Sequence, residues 1–183
     1  MLLRPSLKHI PILLTITLLI IAGGIFFLIK KENQPIREIT NFNECTEAGN
    51  PIMESYPRRC NGDGKSFTED IGNELEKMDL IRIEYPRPNS EVESPLAVRG
   101  QARGNWYFEA SFPVQLYDQK GNLLATGIAQ AQDDWMTEEF VEFKADVVFN
   151  KPEGNSGTLI LKKDNPSGLS EYDDFLEVPV LFE

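Results

Sequence analysis

Few residues in this chain have the chemistry to act as nucleophiles, metal ligands or redox centres. There are two cysteines, Cys45 and Cys60, and one histidine, His9. Two thiols with no imidazole nearby make a poor metal site, whereas a disulfide between them would close a loop of about 15 residues and contribute on the order of 3 kcal/mol. Disulfides persist on the oxidising side of a membrane, so the pairing carries a location with it; the alternative is two free thiols in a reducing compartment. His9 lies beside an apolar N-terminal run, which leaves the rest of the chain without a Ser-His or Cys-His arrangement.

Carboxylates are plentiful. Asp133-Asp134, Glu138-Glu139 and Asp173-Asp174 could in principle supply the acid and the nucleophile that cut a wall glycan. With 29 acidic residues among 183, however, adjacent pairs are expected in solvated loops, and neighbours in sequence do not set the separation that chemistry needs. One stretch invites a calcium reading: on an EF-hand loop Asn61, Asp63, Gly64 and Asp70 would take the third, fifth, sixth and twelfth positions. Arg59 would then occupy the first position, where a carboxylate is required, so Asn61-Gly62-Asp63-Gly64 reads as a type I′ hairpin turn. No catalytic, cofactor-binding or metal-binding residues are expected. The remaining candidates are Trp135 and Met136, in the loop Asp133 to Thr137, as partner contacts. Trp is common at binding hot spots and Met adapts to irregular surfaces; the competing reading has Trp135 folding back to cap the core.

These residues must be positioned by the elements around them. Residues 10–29 are uncharged with only Thr15 and Thr17 polar, and at about 1.5 Å per residue they span the roughly 30 Å hydrocarbon layer, which predicts a transmembrane helix. A cleaved signal peptide ending near Ala22 to Gly24 is the rival, but the apolar run continues through Ile29. Arg4 and Lys8 on one side and Lys30 and Lys31 on the other leave the orientation open, and the disulfide argument decides it. Residues 1–9 are then a cytoplasmic tail, 30–40 a spacer around Pro35, 41–70 a small disulfide-stapled segment, 71–79 a linker or short helix, and 80–183 the main domain. All Asp and Glu lie beyond Lys31 in a chain of net charge −11, which opposes nucleic-acid phosphates.

The main domain is organised around Arg103 to Asp118. Run extended, it places Trp106, Phe108, Ala110, Phe112, Val114 and Leu116 on an apolar face and Tyr107, Glu109, Ser111, Gln115 and Tyr117 on the other, with a bend or bulge near Glu109 to Ser111 that would divide it into two strands. Further strands are predicted over 80–85, 96–102, 123–130, 140–149, 157–163 and 176–182, with Pro179 marking the last as an edge or bulged strand. About seven short strands separated by turns predict an all-β, antiparallel immunoglobulin-like sandwich, preceded by the transmembrane helix and the cysteine segment.

Several blocks of this region, SPLAVRGQARGNWYFEASFPVQLYD, WMTEEFVEF, GTLILKKDNPSG and the closing VPV, resemble in order the immunoglobulin-like domain of bacterial spore germination proteins. The resemblance covers residues 80–182 and implies a cell-surface interaction module that brings no catalytic residues. Both cysteines precede the domain, so no disulfide joins its sheets and core packing must hold it. The sequence therefore predicts a membrane-anchored protein that displays a non-catalytic module to an envelope protein or wall polymer. The alternatives are a glycan-cleaving enzyme and a structural spacer that presents the cysteine segment.

Overall fold

The computed structural model describes residues 38–183. The predicted transmembrane helix and cytoplasmic tail lie outside them; among the described residues no helix is long and apolar enough to cross a membrane. The chain divides into two units at Thr40, and Asn41–Glu183 is one compact unit.

That unit begins with the cysteine segment: helix α1 (Phe42–Glu47) and the strands β1 (Ile52–Met53), β2 (Arg59–Gly62) and β3 (Lys65–Thr68), which form a three-stranded sheet. Asn41 starts α1 by accepting the Glu44 N–H at 2.9 Å, the usual role of an N-cap amide. The turn between β2 and β3 is Asp63-Gly64, both at positive φ (52° and 72°), as a type I′ hairpin requires. Cys45 of α1 and Cys60 of β2 form the predicted disulfide, and both are fully buried. In so small a unit the bridge takes the place of a core.

A short helix α2 (Glu74–Lys77) leads into the main domain. Its strands are β4 (Ile81–Tyr85), β5 (Glu91–Val92), β6 (Leu96–Arg103), β7 (Ser111–Asp118), β8 (Leu123–Ala131), β9 (Phe140–Val147), β10 (Ser156–Lys162) and β11 (Phe175–Phe182). They join in one sheet of order β4-β6-β9-β8-β7-β10-β11-β5. β8 and β9 pair only at Gln130 with Lys144 and Ala131 with Phe143, so the sheet curls there. Two leaves, β4-β6-β9 and β8-β7-β10-β11-β5, close over a shared core. Alternation produces that core: Leu96, Val98 and Ala102 of β6, Phe112, Val114 and Leu116 of β7, Val141, Phe143 and Val147 of β9, and Leu159 and Leu161 of β10 all point inward and are buried.

Two expectations need correction. Eight strands make the sheet where about seven are expected, and the additional one, β5, pairs parallel with β11, so the sandwich is not wholly antiparallel. A strand of two residues leaves no periodic trace in sequence. The alternation read across 106–110 also fails, because Gly104–Trp106 form a 3-10 turn and Glu109 and Ala110 have positive φ (49° and 62°), which breaks the period of two. Tyr107, expected outside, is buried and donates from Oη to Val141 O at 2.7 Å, whereas Phe108 is exposed. The bend itself falls where it was predicted. Trp106 is fully buried, and Phe112 stacks between Tyr107 and Phe143 at centroid distances of 5.2 and 5.0 Å.

Pro179 has a reason for its place. It lies opposite Thr158 in an unbroken register, and its carbonyl accepts the Asn89 N–H at 2.8 Å on the side away from β10. The absent proline N–H faces that same outer side, where β11 has no strand partner until β5 begins, so no ladder bond is lost.

Candidate functional site

The loop that carries the predicted contacts is held from beneath. Gly104 sits so close to it that a Cβ there would lie 1.9 Å from Thr137 O and 2.2 Å from Trp135 O, so only glycine lets the loop cross the end of β6. Arg103 Nη1 donates to Glu138 O at 2.9 Å, and the Met136 N–H donates to Asp134 Oδ1 at 3.0 Å. Within this frame the two candidates separate. Trp135 is half-buried and packs against the sandwich core, whereas Met136 is 77% exposed.

The acidic pairs mostly organise their own turns. Asp133 Oδ1 accepts the Asp134 N–H and Asp134 Oδ1 accepts the Met136 N–H, so both carboxylates shape the loop. Asp173 Oδ1 accepts from Asn165 Nδ2 at 2.8 Å, and Asp174 pairs with Lys77 Nζ at 2.6 Å. Among the described residues no three His, Cys, Asp or Glu side chains gather as a metal-binding group. Asp118, at the β7–β8 turn, accepts from Asn122 Nδ2 and from the Lys120 and Asn122 N–H groups, and these bonds hold its carboxyl below the usual range.

The outer faces of the two leaves differ sharply in character. On β4-β6-β9 the outward positions are Arg82, Glu84, Ala97, Arg99, Gln101, Arg103, Phe140, Glu142, Lys144 and Asp146, and guanidinium groups lie over the aromatic rings there, Arg82 and Arg103 over Phe140 at 4.1 and 4.3 Å and Arg99 over Tyr85 at 5.8 Å. The outer face of β8-β7-β10-β11 mixes apolar and neutral polar residues, with Glu177 and Lys162 as the charged members of its rows. Its registers give three rows across the strands: Leu123, Tyr117, Thr158 and Pro179; Thr126, Gln115, Ile160 and Glu177; and Ile128 beside Pro113, with Lys162 beside Phe175. Leu123, Ile128 and Phe175 are exposed, and a groove of about 460 Å³ runs over the middle of the face between Gln115, Tyr117, Ile160 and Phe175. Tyr117 Oη donates to Gln115 Oε1 at 3.0 Å, so the tyrosine leans along its strand instead of standing off the sheet.

Alternation places Gln115 and Tyr117 on the polar side of the central strand, but no residue of β10 or β11 is marked by sequence as a contact. A signal was present: in Thr158 to Lys162 the inward positions are Leu159 and Leu161, so Ile160 is an apolar residue at an outward position. The other missed site is the junction between the cysteine segment and the sandwich. It holds both buried charged residues among those described, Glu69 and Glu74. Glu69 accepts from Arg58 Nε at 2.8 Å, Arg58 Nη2 at 2.5 Å and Asn89 Nδ2 at 3.2 Å; the Arg58 guanidinium holds its carboxyl below the ordinary value. Glu74 accepts from Arg87 Nη1 at 2.7 Å and from Tyr56 Oη, and Arg87 Nη1 also donates to Ile83 O. Partners that lie up to 31 positions apart in sequence gave no local pattern to read.

Comparison with curated proteins and with solved structures gave no match. Residues 80–170 do match the model of the immunoglobulin-like domain of bacterial spore germination, over β4 to β10 of the curled sheet. The sandwich of this chain belongs to that family.

Proposed function

We propose that the chain is a single-pass, membrane-anchored envelope protein that presents a non-catalytic immunoglobulin-like module outside the cytoplasm, with the outer face of β8-β7-β10-β11 as its contact surface. The observation that carries the contact surface is the asymmetry of the sandwich: one outer face is charged and covers its phenylalanine with arginines, the other leaves Leu123, Ile128 and Phe175 exposed around a groove. The apolar run at 10–29 supports the anchor, and the Cys45–Cys60 bridge supports an oxidising location for the segment beyond it.

Two measurements test this reading. Protease added outside spheroplasts of the native host should remove the sandwich from the full chain while leaving the N-terminal tail protected; a fully protected sandwich refutes the orientation. Retention of the full chain on isolated envelopes should fall by about tenfold for Ile160→Asp at an unchanged melting temperature, since a charge at the centre of a contact face acts as a hot-spot loss. Met136→Ser serves as the comparison. If it weakens retention while Ile160→Asp does not, the contact lies at the loop and not on the face.

A further inference from the structure

The distribution of side chains within the groove says more than that the face is sticky. Tyr117 lies on β7 in the first row and Phe175 on β11 in the third, two strands and two rows apart, and Ile160 stands midway between them on β10 in the second row. Strand and residue spacings put the backbone positions of the two aromatic residues about 17 Å apart along this diagonal. Groups that can hydrogen-bond flank the apolar diagonal on both sides: Gln115 beside Tyr117 and Ile160, Glu177 opposite Ile160, and Lys162 opposite Phe175. Because the Gln115 oxygen already accepts from Tyr117, its NH2 is the part of that amide left to donate outward. The groove therefore offers an apolar floor between donors (Gln115, Lys162) and an acceptor (Glu177), while a second carboxylate at its end, Asp118, is already engaged by Lys120 and Asn122.

We propose, building on the reading of this face as the contact surface, that the groove takes an uncharged glycan strand laid diagonally from Tyr117 to Phe175. A pyranose ring has an apolar face of C–H groups and a rim of hydroxyls that both donate and accept. The C–H faces match Tyr117, Ile160 and Phe175, and the hydroxyl rim matches the flanking groups. Two aromatic platforms whose strand positions lie about 17 Å apart fit several linked rings and not one, so affinity grows with chain length. An anionic polymer is disfavoured by the chain's net charge of −11, and an extended peptide would seek unpaired strand backbone instead of a sheet face.

The test titrates the full chain, in detergent, with soluble hexamers of N-acetylglucosamine, glucose and mannose, alongside the corresponding dimers. Binding of at least one hexamer is expected, about tenfold or more tighter than its dimer, and reduced about tenfold by Tyr117→Ser or Phe175→Ser but unchanged by Met136→Ser. Melting curves of both variants establish that they fold. Binding that survives both substitutions overturns the site, and no binding of any hexamer at millimolar concentration overturns the ligand class. The second failure is distinguishable from failure of the parent reading. If envelope retention still depends on Ile160, the face contacts something other than a neutral glycan; if it does not, the contact surface itself is wrong.

Discussion

Phe112 sits in the middle of the aromatic part of the core, its ring meeting those of Tyr107 and Phe143 with no exposed surface. Phe112→Ala removes both contacts and leaves a cavity the curled sheet cannot close, so a loss of about 3–5 kcal/mol is expected in denaturant unfolding. Glu69 gives a second prediction, in pH. Its carboxyl is held below the ordinary value of 4.5 mainly by the Arg58 hydrogen bonds, so the folded state binds the proton less readily than the unfolded state. The sign follows: this stabilisation is fully present above the unfolded value and is lost as pH falls through the lower folded value. Melting temperature should therefore drop as pH is taken below about 4.5, and Glu69→Gln should flatten that part of the curve. The inward set Phe112, Val114 and Leu116 was legible from alternation alone. Tyr107 and Phe108 were not, because positive φ at Glu109 and Ala110 is a tertiary demand on residues that carry no glycine signal.

Among the elements, β11 shows how an edge is managed. Asn73 uses both ends of its amide on the strand's backbone, donating from Nδ2 to Phe175 O at 3.0 Å and accepting the Glu177 N–H at 2.7 Å; further along, Leu181 N–H donates to Ser90 O at 3.0 Å. An asparagine three residues before Glu76 reads in sequence as a helix start, and α2 does begin after it, but the side chain makes no capping bond. Its amide stands in for a missing strand, which is one way to blunt an edge that would otherwise template pairing with another chain. Asn73→Ala should expose that edge. The expected result is a loss of about 1–2 kcal/mol and faster hydrogen exchange at the Glu177 amide, with the Leu159 amide on the far side of β11 unchanged. Exchange at Glu177 equal to wild type would show that the clip contributes nothing.

At the scale of the whole molecule, most strands and the hairpin turns were legible because each depends on a local period or a turn residue. The curl of the sheet, β5 and the buried carboxylates of the junction were not, since all depend on partners distant in sequence. The bridge lies outside the sandwich core, so replacing both cysteines by serine should loosen the segment by about 3 kcal/mol and leave the sandwich folded. Trp106 and Trp135 both belong to the sandwich, so tryptophan fluorescence follows its unfolding alone. A fluorescence midpoint near that of the wild type, together with new proteolysis between 41 and 70, is the expected pair of results; joint collapse would show one cooperative unit. The position of the bridge also has a mechanical meaning. A chain pulled from its N-terminal side cannot pay out the residues between Cys45 and Cys60, a length of about 50 Å if extended, so the load passes along a shortened path to the Asn73 clip on β11 and then to the β4–β6 ladder. Strands pulled lengthwise must shear their hydrogen bonds together rather than unzip them one by one, and a module built in this way transmits force before it yields.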